Sequence, residues 1–363
     1  MVGGPPHRDD TATTSTLPHP NSAASVIAPR SLVELHDRLS APTSIAREAL
    51  ARCPGDVIVL GAGGKIGPSL ATLVRRADPT RRVTAVARFS DPEAERTLRD
   101  SGVDTVRCDL SDPLAVRALP DADNVLFLAG QKFGTMTDPG ATWVTNTAVP
   151  YLCAERYAGA RIVAYSTGSV YGLTPAAGPH SVEADPTDPA GEYAASCVGR
   201  ERIFDHVAGS HGTPVAIIRL NYACALTYGV LTDIALRVQR GEPVVLTTGY
   251  VNVIWQGDAN ELALAALPLA SAPYPFVVNV TGPETIRVRD AAIAMGEVLG
   301  RAPRFTGTEA PESLLSDTSL MLSSLGSPAV RPPTLVRWTA EWVRDGLPLL
   351  GKPTQFETRD GKF

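Results

Sequence analysis

The chain contains little lysine, little cysteine and no long apolar run. The five cysteines are scattered without metal-ligand spacing, so we expect no metal site and expect reduced thiols in a cytoplasmic protein. No apolar run reaches the ~18 residues of a membrane span, and the N-terminus lacks the apolar core of a secretory signal. Lysine is so rare that few side chains could act as a catalytic ammonium: Lys65, Lys132, Lys352 and Lys362.

An excess of basic charge is also lacking. The formal net charge is -5, whereas a protein that neutralises phosphates along a nucleic acid needs a basic surface. We therefore expect no nucleic-acid partner and no membrane partner. A small-molecule substrate is the expected ligand, and the composition leaves a homodimer open.

Short β-branched runs alternate with amphipathic helical patterns through most of the chain. This β-α-β alternation predicts an α/β fold with a doubly wound parallel Rossmann sheet. Before it, residues 1–30 are rich in Pro, Ser, Thr and Gly and read as a disordered tail, and 31–54 form a helical extension. The predicted Rossmann domain spans 55–225, and 250–281 returns to it. A smaller, partly helical substrate-binding domain is predicted at 226–249 and 282–350. The last predicted division is a C-terminal tail at 351–363.

A glycine-rich turn follows the first predicted strand directly. Gly61, Gly64 and Gly67 are spaced G-x-x-G-x-x-G and precede a helical pattern, with Lys65 and Ile66 between the last two. Glycines permit a tight turn and close backbone approach, and the helix N-terminus offers free N–H groups to a pyrophosphate. The strand–turn–helix context therefore predicts a dinucleotide site.

The second strand ends at the position that reads the adenosine ribose. An acid there bonds the 2′-hydroxyl of NAD, and an arginine accommodates the 2′-phosphate of NADP. This chain has Ala87 followed by Arg88, so the sequence favours NADP over NAD.

Further motifs follow in a specific order. Asp109-Leu110 comes after the third strand, Ala129-Gly130 after the fourth, and Asn146 lies in the next helix. A segment from Tyr165 to Gly172 and the helix that carries Tyr193 complete the series. Together, from about Asp56 to Leu347, the sequence resembles the extended short-chain dehydrogenases/reductases, the NAD(P)-dependent epimerase/dehydratase family.

The resemblance implies hydride-transfer chemistry on a sugar, sugar nucleotide or sugar-derived substrate, as oxidoreductase, epimerase or dehydratase. It assigns catalysis to Thr167 and Tyr193 and contact with the cofactor to Asp109, Leu110, Ala129, Gly130, Lys132, Asn146 and Tyr193. We expect the substrate pocket to be formed by Ser169, Tyr171, Asn221, Tyr222 and Trp255. The alternative is a dinucleotide-binding protein without turnover, acting as a sensor or scaffold.

One position departs from the family. The family has Tyr-x-x-x-Lys, but Cys197 stands four residues after Tyr193, on the same helix face. A tyrosine base at neutral pH needs a nearby cation. Lys132, in a loop that resembles the Ala-Gly-x-Lys loop of galactose epimerases, is the expected substitute, and Cys197 as nucleophile or base is an alternative. Arg200 shares the face, but its Cα lies about 10 Å further along the axis.

Overall fold

A central parallel sheet organises the molecule. The computed structural model describes residues 27–362, so most of the predicted N-terminal tail lies outside the described residues. The sheet has the order β3-β2-β1-β4-β5-β7-β12. The strands are β1 Val57–Leu60, β2 Val83–Ala87, β3 Asp104–Arg107, β4 Asn124–Phe127, β5 Arg161–Thr167, β6 Thr174–Pro175, β7 Val215–Leu220, β8 Ala223–Cys224, β9 Pro243–Val245, β10 Tyr250–Asn252, β11 Ile254–Trp255, β12 Phe276–Val280, β13 Thr285–Arg287, β14 Arg304–Thr306 and β15 Glu312–Ser313.

Helices cover both faces of this sheet. They are α1 Leu32–Leu39, α2 Ser44–Arg52, α3 Gly67–Ala77, α4 Pro92–Asp100, α5 Pro113–Arg117, α6 Pro139–Trp143, α7 Val149–Arg156, α8 Gly191–His211, α9 Val230–Arg240, α10 Gln256–Ala266, α11 Val288–Leu299, α12 Ser319–Ser324 and α13 Pro332–Arg344. The predicted Rossmann fold is confirmed, and β12 pairs in parallel with β7 at the edge of the main sheet.

The sequence of each inner strand explains its place. β1 is buried along its whole length and pairs in parallel with β2 and β4. A strand covered on both faces reads as a continuous apolar run rather than an alternating one. Several following helices start with an acid that accepts from the first free N–H groups, as Asp112 does for Leu114 and Ala115. These caps fix where each helix begins after its strand.

The helical extension before β1 packs on the main body. The Glu261 carboxylate on α10 accepts hydrogen bonds from the Thr43 amide at 2.8 Å, the Thr43 hydroxyl at 2.7 Å and the Ala46 amide at 3.1 Å. An acid from α10 thus caps the start of α2 and ties the extension to the sheet.

A second group of helices, α9, α11 and α13, forms its own buried cluster, in which Trp338 packs edge-on against Trp255 with ring centroids 5.7 Å apart. The predicted domain boundaries remain a prediction. Across residues 27–362, no helix is both long enough and apolar enough to span a bilayer.

Candidate active site

The glycine turn links β1 to α3 through close backbone contacts. Gly61 has φ +87°, and a Cβ there would lie 2.5 Å from the Ala129 amide nitrogen. A Cβ on Gly67 would lie 2.3 Å from the Ala62 carbonyl oxygen. Ile66, the residue before α3, supplies no side-chain cap, and although Pro68 has no N–H, the other N–H groups of the first turn stay available to an anion. This turn fits the pyrophosphate of a dinucleotide.

The adenosine end of the predicted site lies at the same sheet edge. A Cβ on Gly63 would be 3.1 Å from the Ala87 Cβ, which places the end of β2 beside the turn. Arg88 follows with an exposed side chain. Asp109 accepts from the Ser111 amide at 3.0 Å and hydroxyl at 2.7 Å, bonds that lower the pKa of its carboxyl. Leu110, beside it, is buried.

Lys65 lies over the ring of Tyr228, which is in the connection between β8 and α9. Its Nζ lies 3.1 Å from the centroid of the Tyr228 ring. Partial burial, and then the charges of Lys132 and Lys352, lower the pKa of Lys65 to about 7. An anion bound at the turn would favour the protonated amine, so Lys65 is suited to a phosphate.

Asn146 lies on one turn of π-helix, Val144–Ala148, between α6 and α7. Its side chain bonds the backbone of Gln131 on both sides, accepting from the amide at 2.9 Å and donating to the carbonyl at 3.0 Å. It also donates to the Ser196 hydroxyl at 2.9 Å. Asn146 therefore fixes the loop that follows Ala129 and Gly130 against α8.

The side chains of Thr167 and Tyr193 lie in contact. Thr167 ends β5, and its hydroxyl hydrogen-bonds to the Tyr193 hydroxyl. It also accepts from the Ser169 amide at 3.1 Å and lies 3.2 Å from the Ser169 hydroxyl. Burial raises the pKa of Tyr193, and Cys197 raises it further, whereas Arg200 and the Thr167 bond lower it.

Cys197 lies where the spacing predicts, on the Tyr193 face of α8. It is fully buried in a small apolar cluster with Val170 and Tyr171. Burial raises the pKa of its thiol, so Cys197 is neutral near pH 7 and supplies no charge to Tyr193.

Arg200 is much nearer the site than the spacing of Cα atoms along the helix suggested. Its Nη1 donates to the Tyr165 carbonyl at 2.8 Å and its Nη2 donates to Asn146 Oδ1 at 2.6 Å. Side chains on a helix lean toward its N-terminus, and the long arginine side chain adds to that reach. An estimate from the rise per residue alone leaves out both effects.

Lys132 is engaged with the C-terminal segment. Its Nζ donates to the Thr354 carbonyl at 3.2 Å, and Thr354 itself donates to Asp233 Oδ2 from its amide at 2.8 Å and its hydroxyl at 2.6 Å. Burial lowers the pKa of Lys132 to about 8. The stretch predicted as a tail thus packs beside a predicted site residue.

The predicted substrate residues separate into two groups. Ser169 and Asn221 stay close to Thr167, because a Cβ on Gly168 would lie 3.0 Å from the Asn221 side chain. The three aromatic residues pack into the protein: Tyr171 donates to Asn279 at 2.8 Å, and Tyr222 and Trp255 join the second buried cluster. The structure therefore places Ser169 and Asn221 close to Thr167 and packs Tyr171 against Cys197 beside Tyr193, whereas Tyr222 and Trp255 pack with the second buried cluster.

Sequence reasoning missed a buried ion pair behind the site. Arg219 Nη2 donates to Glu201 Oε2 at 2.7 Å, and Ser166 donates to Glu201 Oε1 at 2.5 Å. The signal was present, since Arg219 lies in an otherwise apolar strand, where a charge needs a partner. Within residues 27–362, no three His, Cys, Asp or Glu side chains lie close enough together to hold a metal ion.

The parallel sheet, the glycine turn and the uncapped helix define a protein of the Rossmann type. The model of the NAD dependent epimerase/dehydratase family matches residues 57–264. This match spans more than half of the 363 residues, and the chain belongs to that family. The predicted family is therefore confirmed. A comparison with curated proteins gave no match.

Several solved structures share the fold. MoeE5 in complex with UDP-glucose and NAD is 21% identical, with 80% of this chain and 99% of that chain covered and a TM-score of 0.66. The UDP-glucose 4-epimerase of Thermus thermophilus, in complex with NAD, is 22% identical over 80% and 99%, with a TM-score of 0.65. The UDP-glucuronic acid 4-epimerase of Bacillus cereus, in complex with UDP-glucuronic acid and NAD, is 16% identical over 80% and 99%, with a TM-score of 0.66.

Proposed function

We propose that this chain is an NAD(P)-dependent oxidoreductase, epimerase or dehydratase acting on a sugar nucleotide or related sugar substrate. The observation that carries the proposal is the hydrogen-bonded Thr167–Tyr193 pair at the same sheet edge as the glycine turn. Thr167 would hold the oxygen on the reacting carbon, and Tyr193 would exchange a proton with that oxygen. A nicotinamide dinucleotide, when bound, supplies hydride transfer.

The test is turnover of a panel of UDP-sugars, including UDP-glucose and UDP-glucuronic acid, with NAD and with NADP. Tyr193→Phe should reduce turnover by at least ~10²-fold, because the phenolic proton is lost. Tyr151→Phe, at a half-exposed tyrosine on α7, is the matched control and should leave turnover unchanged. Near-normal turnover in Tyr193→Phe would remove this residue from the mechanism.

A second function has one observation in its favour. Cys197 is neutral and buried, and burial raises the pKa of Tyr193. A protein that binds the dinucleotide as a sensor or scaffold would tolerate a Tyr193 that stays protonated, because it needs no proton exchange. Tight cofactor binding without conversion of any sugar in the panel would favour it over the enzyme.

We further propose that NADP is preferred over NAD, through Arg88. The exposed guanidinium follows Ala87 at the sheet edge beside the glycine turn, where it would meet a 2′-phosphate. Isothermal titration should show at least about tenfold tighter NADP binding that Arg88→Ala removes. Arg82→Ala, at the opposite end of β2, is the control. An NAD preference that Arg88→Ala does not change would contradict the proposal.

The assembly and the location are also proposals. Trp143 at the end of α6, Val144 on the π-helical turn and Tyr151 on α7 are 39%, 49% and 40% exposed, and they form an apolar surface suited to a homodimer. Light scattering of the wild-type protein should give twice the mass of one chain, and Val144→Glu should reduce the measured mass toward that of one chain. The five cysteines are free and buried, which suits the reducing cytoplasm.

A further inference from the structure

Helix α8 presents three residues of different character on one face. Tyr193, Cys197 and Arg200 stand at i, i+4 and i+7, which brings them into one stripe along the helix. Side chains on a helix lean toward its N-terminus, which is the direction of Tyr193, and Arg200 Nη1 donates to the Tyr165 carbonyl at 2.8 Å. Tyr165 lies on β5 two residues before Thr167, so the guanidinium is anchored next to the strand end that supports the reaction.

The positive charge of Arg200 is not neutralised by an ion pair with any described residue. The side chain is buried, with a residue exposure of 6%, and the two oxygens that accept from it are a carbonyl and an amide, both neutral. In the part of the chain that the structure describes, no carboxylate forms an ion pair with Arg200, and its buried Nε lacks a hydrogen-bond partner. Burying an unbalanced charge is unfavourable, so this cation is better explained by a negative group that forms during function.

The surroundings hold the guanidinium in place. Asn146 accepts from Arg200 Nη2 and donates to the Ser196 hydroxyl, which in turn donates to the Tyr193 carbonyl at 2.8 Å. A Cβ on Gly130 would lie 2.5 Å from Arg200 Nη2. The guanidinium therefore lies directly against Gly130, where a Cβ would require it to shift.

Other charged groups around this face are already engaged. Glu201, the next residue on α8, binds Arg219 and Ser166, and Arg219 in turn contacts the Tyr171 hydroxyl. Lys132 donates to the Thr354 carbonyl, and its charge is the smallest of the influences on the pKa of Cys197. Glu192 accepts from the indole of Trp143 at 2.6 Å. The charge of Arg200 lowers the pKa of both Tyr193 and Cys197.

We propose that Arg200, reaching back along α8, holds the positive charge that serves the Tyr193 hydroxyl in place of the lysine that is missing at position 197. The inference rests on the proposed role of Tyr193 as the proton-exchanging group. Arg200 is a positioning residue, because it acts through Tyr193 and Asn146. An arginine stays charged at every working pH, so the tyrosinate would be stabilised throughout.

The test follows the ionisation of position 193 directly and needs no substrate. Tyr193 is replaced by 3,5-difluorotyrosine, whose ring fluorines bring the phenol's ionisation into the range where folded proteins are stable, and its ¹⁹F resonance is followed with pH. Arg200→Met should raise the pKa of this phenol by about one unit or more, whereas Arg200→Lys should preserve most of the wild-type value. Adding Cys197→Lys to Arg200→Met should return the phenol toward the wild type.

Lys132→Met is the matched control and should shift the phenol by less than half as much as Arg200→Met. If Arg200→Met does not fold, Gly130→Ala displaces the guanidinium without removing its charge and should raise the same pKa. A folded Arg200→Met or Gly130→Ala protein that titrates like the wild type would overturn the proposal, as would an equal or larger shift in Lys132→Met. Because no turnover is measured, a failed sugar panel would refute the proposed reaction without deciding this inference.

Discussion

The glycine turn at residues 61–67 and the Tyr193 face of α8 lie at the same edge of the sheet but are held differently. The turn is fixed by backbone contacts, where the missing Cβ atoms of Gly61 and Gly67 leave room for neighbouring main chain. The α8 face is fixed by side chains that cross from other elements, such as Asn146 and Arg219. The geometry of a backbone site depends on residue types that are neighbours in the sequence. The geometry of a side-chain site depends on residues that are distant in the sequence and that the fold brings together.

The largest expected effect is on the side-chain region. Arg219→Met leaves the Glu201 carboxylate buried without its partner and should reduce the free energy of unfolding by about 3–5 kcal/mol. Arg219→Lys, which keeps the charge, should lose less. Urea denaturation of both variants measures the difference. A loss below about 1 kcal/mol in Arg219→Met would mean that the pair does not support the α8 face.

The next effect separates two glycines of the turn. A Cβ on Gly67 would meet the Ala62 backbone, so Gly67→Ala should destabilise the fold by about 2–3 kcal/mol. A Cβ on Gly64 would be 3.6 Å from the nearest atom, the Gly61 carbonyl oxygen, so Gly64→Ala should fold normally. If a dinucleotide approaches this turn, Gly64→Ala should still weaken its binding, as isothermal titration would show.

Equal stability of Gly67→Ala and the wild type would contradict the backbone explanation of the turn. Unchanged cofactor affinity in a folded Gly64→Ala protein would place the dinucleotide elsewhere. The two variants therefore test the architecture of the turn and its use independently.

This contrast also explains what the sequence predicted well. The alternation of strands and helices that builds the Rossmann sheet was predicted correctly, because continuous apolar runs and glycine boundaries are local signals. The Thr167–Tyr193 pair followed from the order of motifs. Arg200 was not predicted as the cation beside Tyr193, because the rise per residue along a helix does not show where the end of a long side chain lies. The C-terminal contact with Lys132 was also missed, because Thr354 is 222 residues away in sequence.

A third prediction concerns protons at the turn. The pKa of Lys65 is about 7 in the free protein, below its usual 10.5, and a bound phosphate would raise it again. Between pH 7 and about 10 the free amine is neutral, so cofactor binding should take up a proton and weaken by up to about tenfold per pH unit as the pH rises. The stability of the folded protein depends on pH in the opposite direction. Between pH 7 and about 10 the Lys65 amine is protonated in the unfolded chain but neutral in the folded one, so the contribution of Lys65 to stability rises with pH.

Isothermal titration in buffers of different ionisation enthalpy measures this proton uptake directly. Lys65→Met should abolish it and flatten the pH dependence of binding, whereas Lys352→Met should leave most of it intact. Cofactor binding by the wild type without proton uptake at pH 8 would place Lys65 away from the phosphate.

The smallest expected effect concerns the C-terminal segment around Thr354, which contacts α9 and the loop after β4. Thr354 donates to Asp233 and accepts from Lys132, so it connects α9 with the loop after β4. Thr354→Val keeps the backbone bond to Asp233 but removes the hydroxyl bond, and it should reduce stability by about 1 kcal/mol. Hydrogen exchange at the Phe356 amide, which donates to the Thr354 hydroxyl at 3.3 Å, should accelerate in this variant. Thr358→Val, at a residue nearby in the same segment, is the control. Exchange at Phe356 that is unchanged in Thr354→Val would mean that packing of the Phe356 ring, rather than this hydroxyl, holds the segment in place.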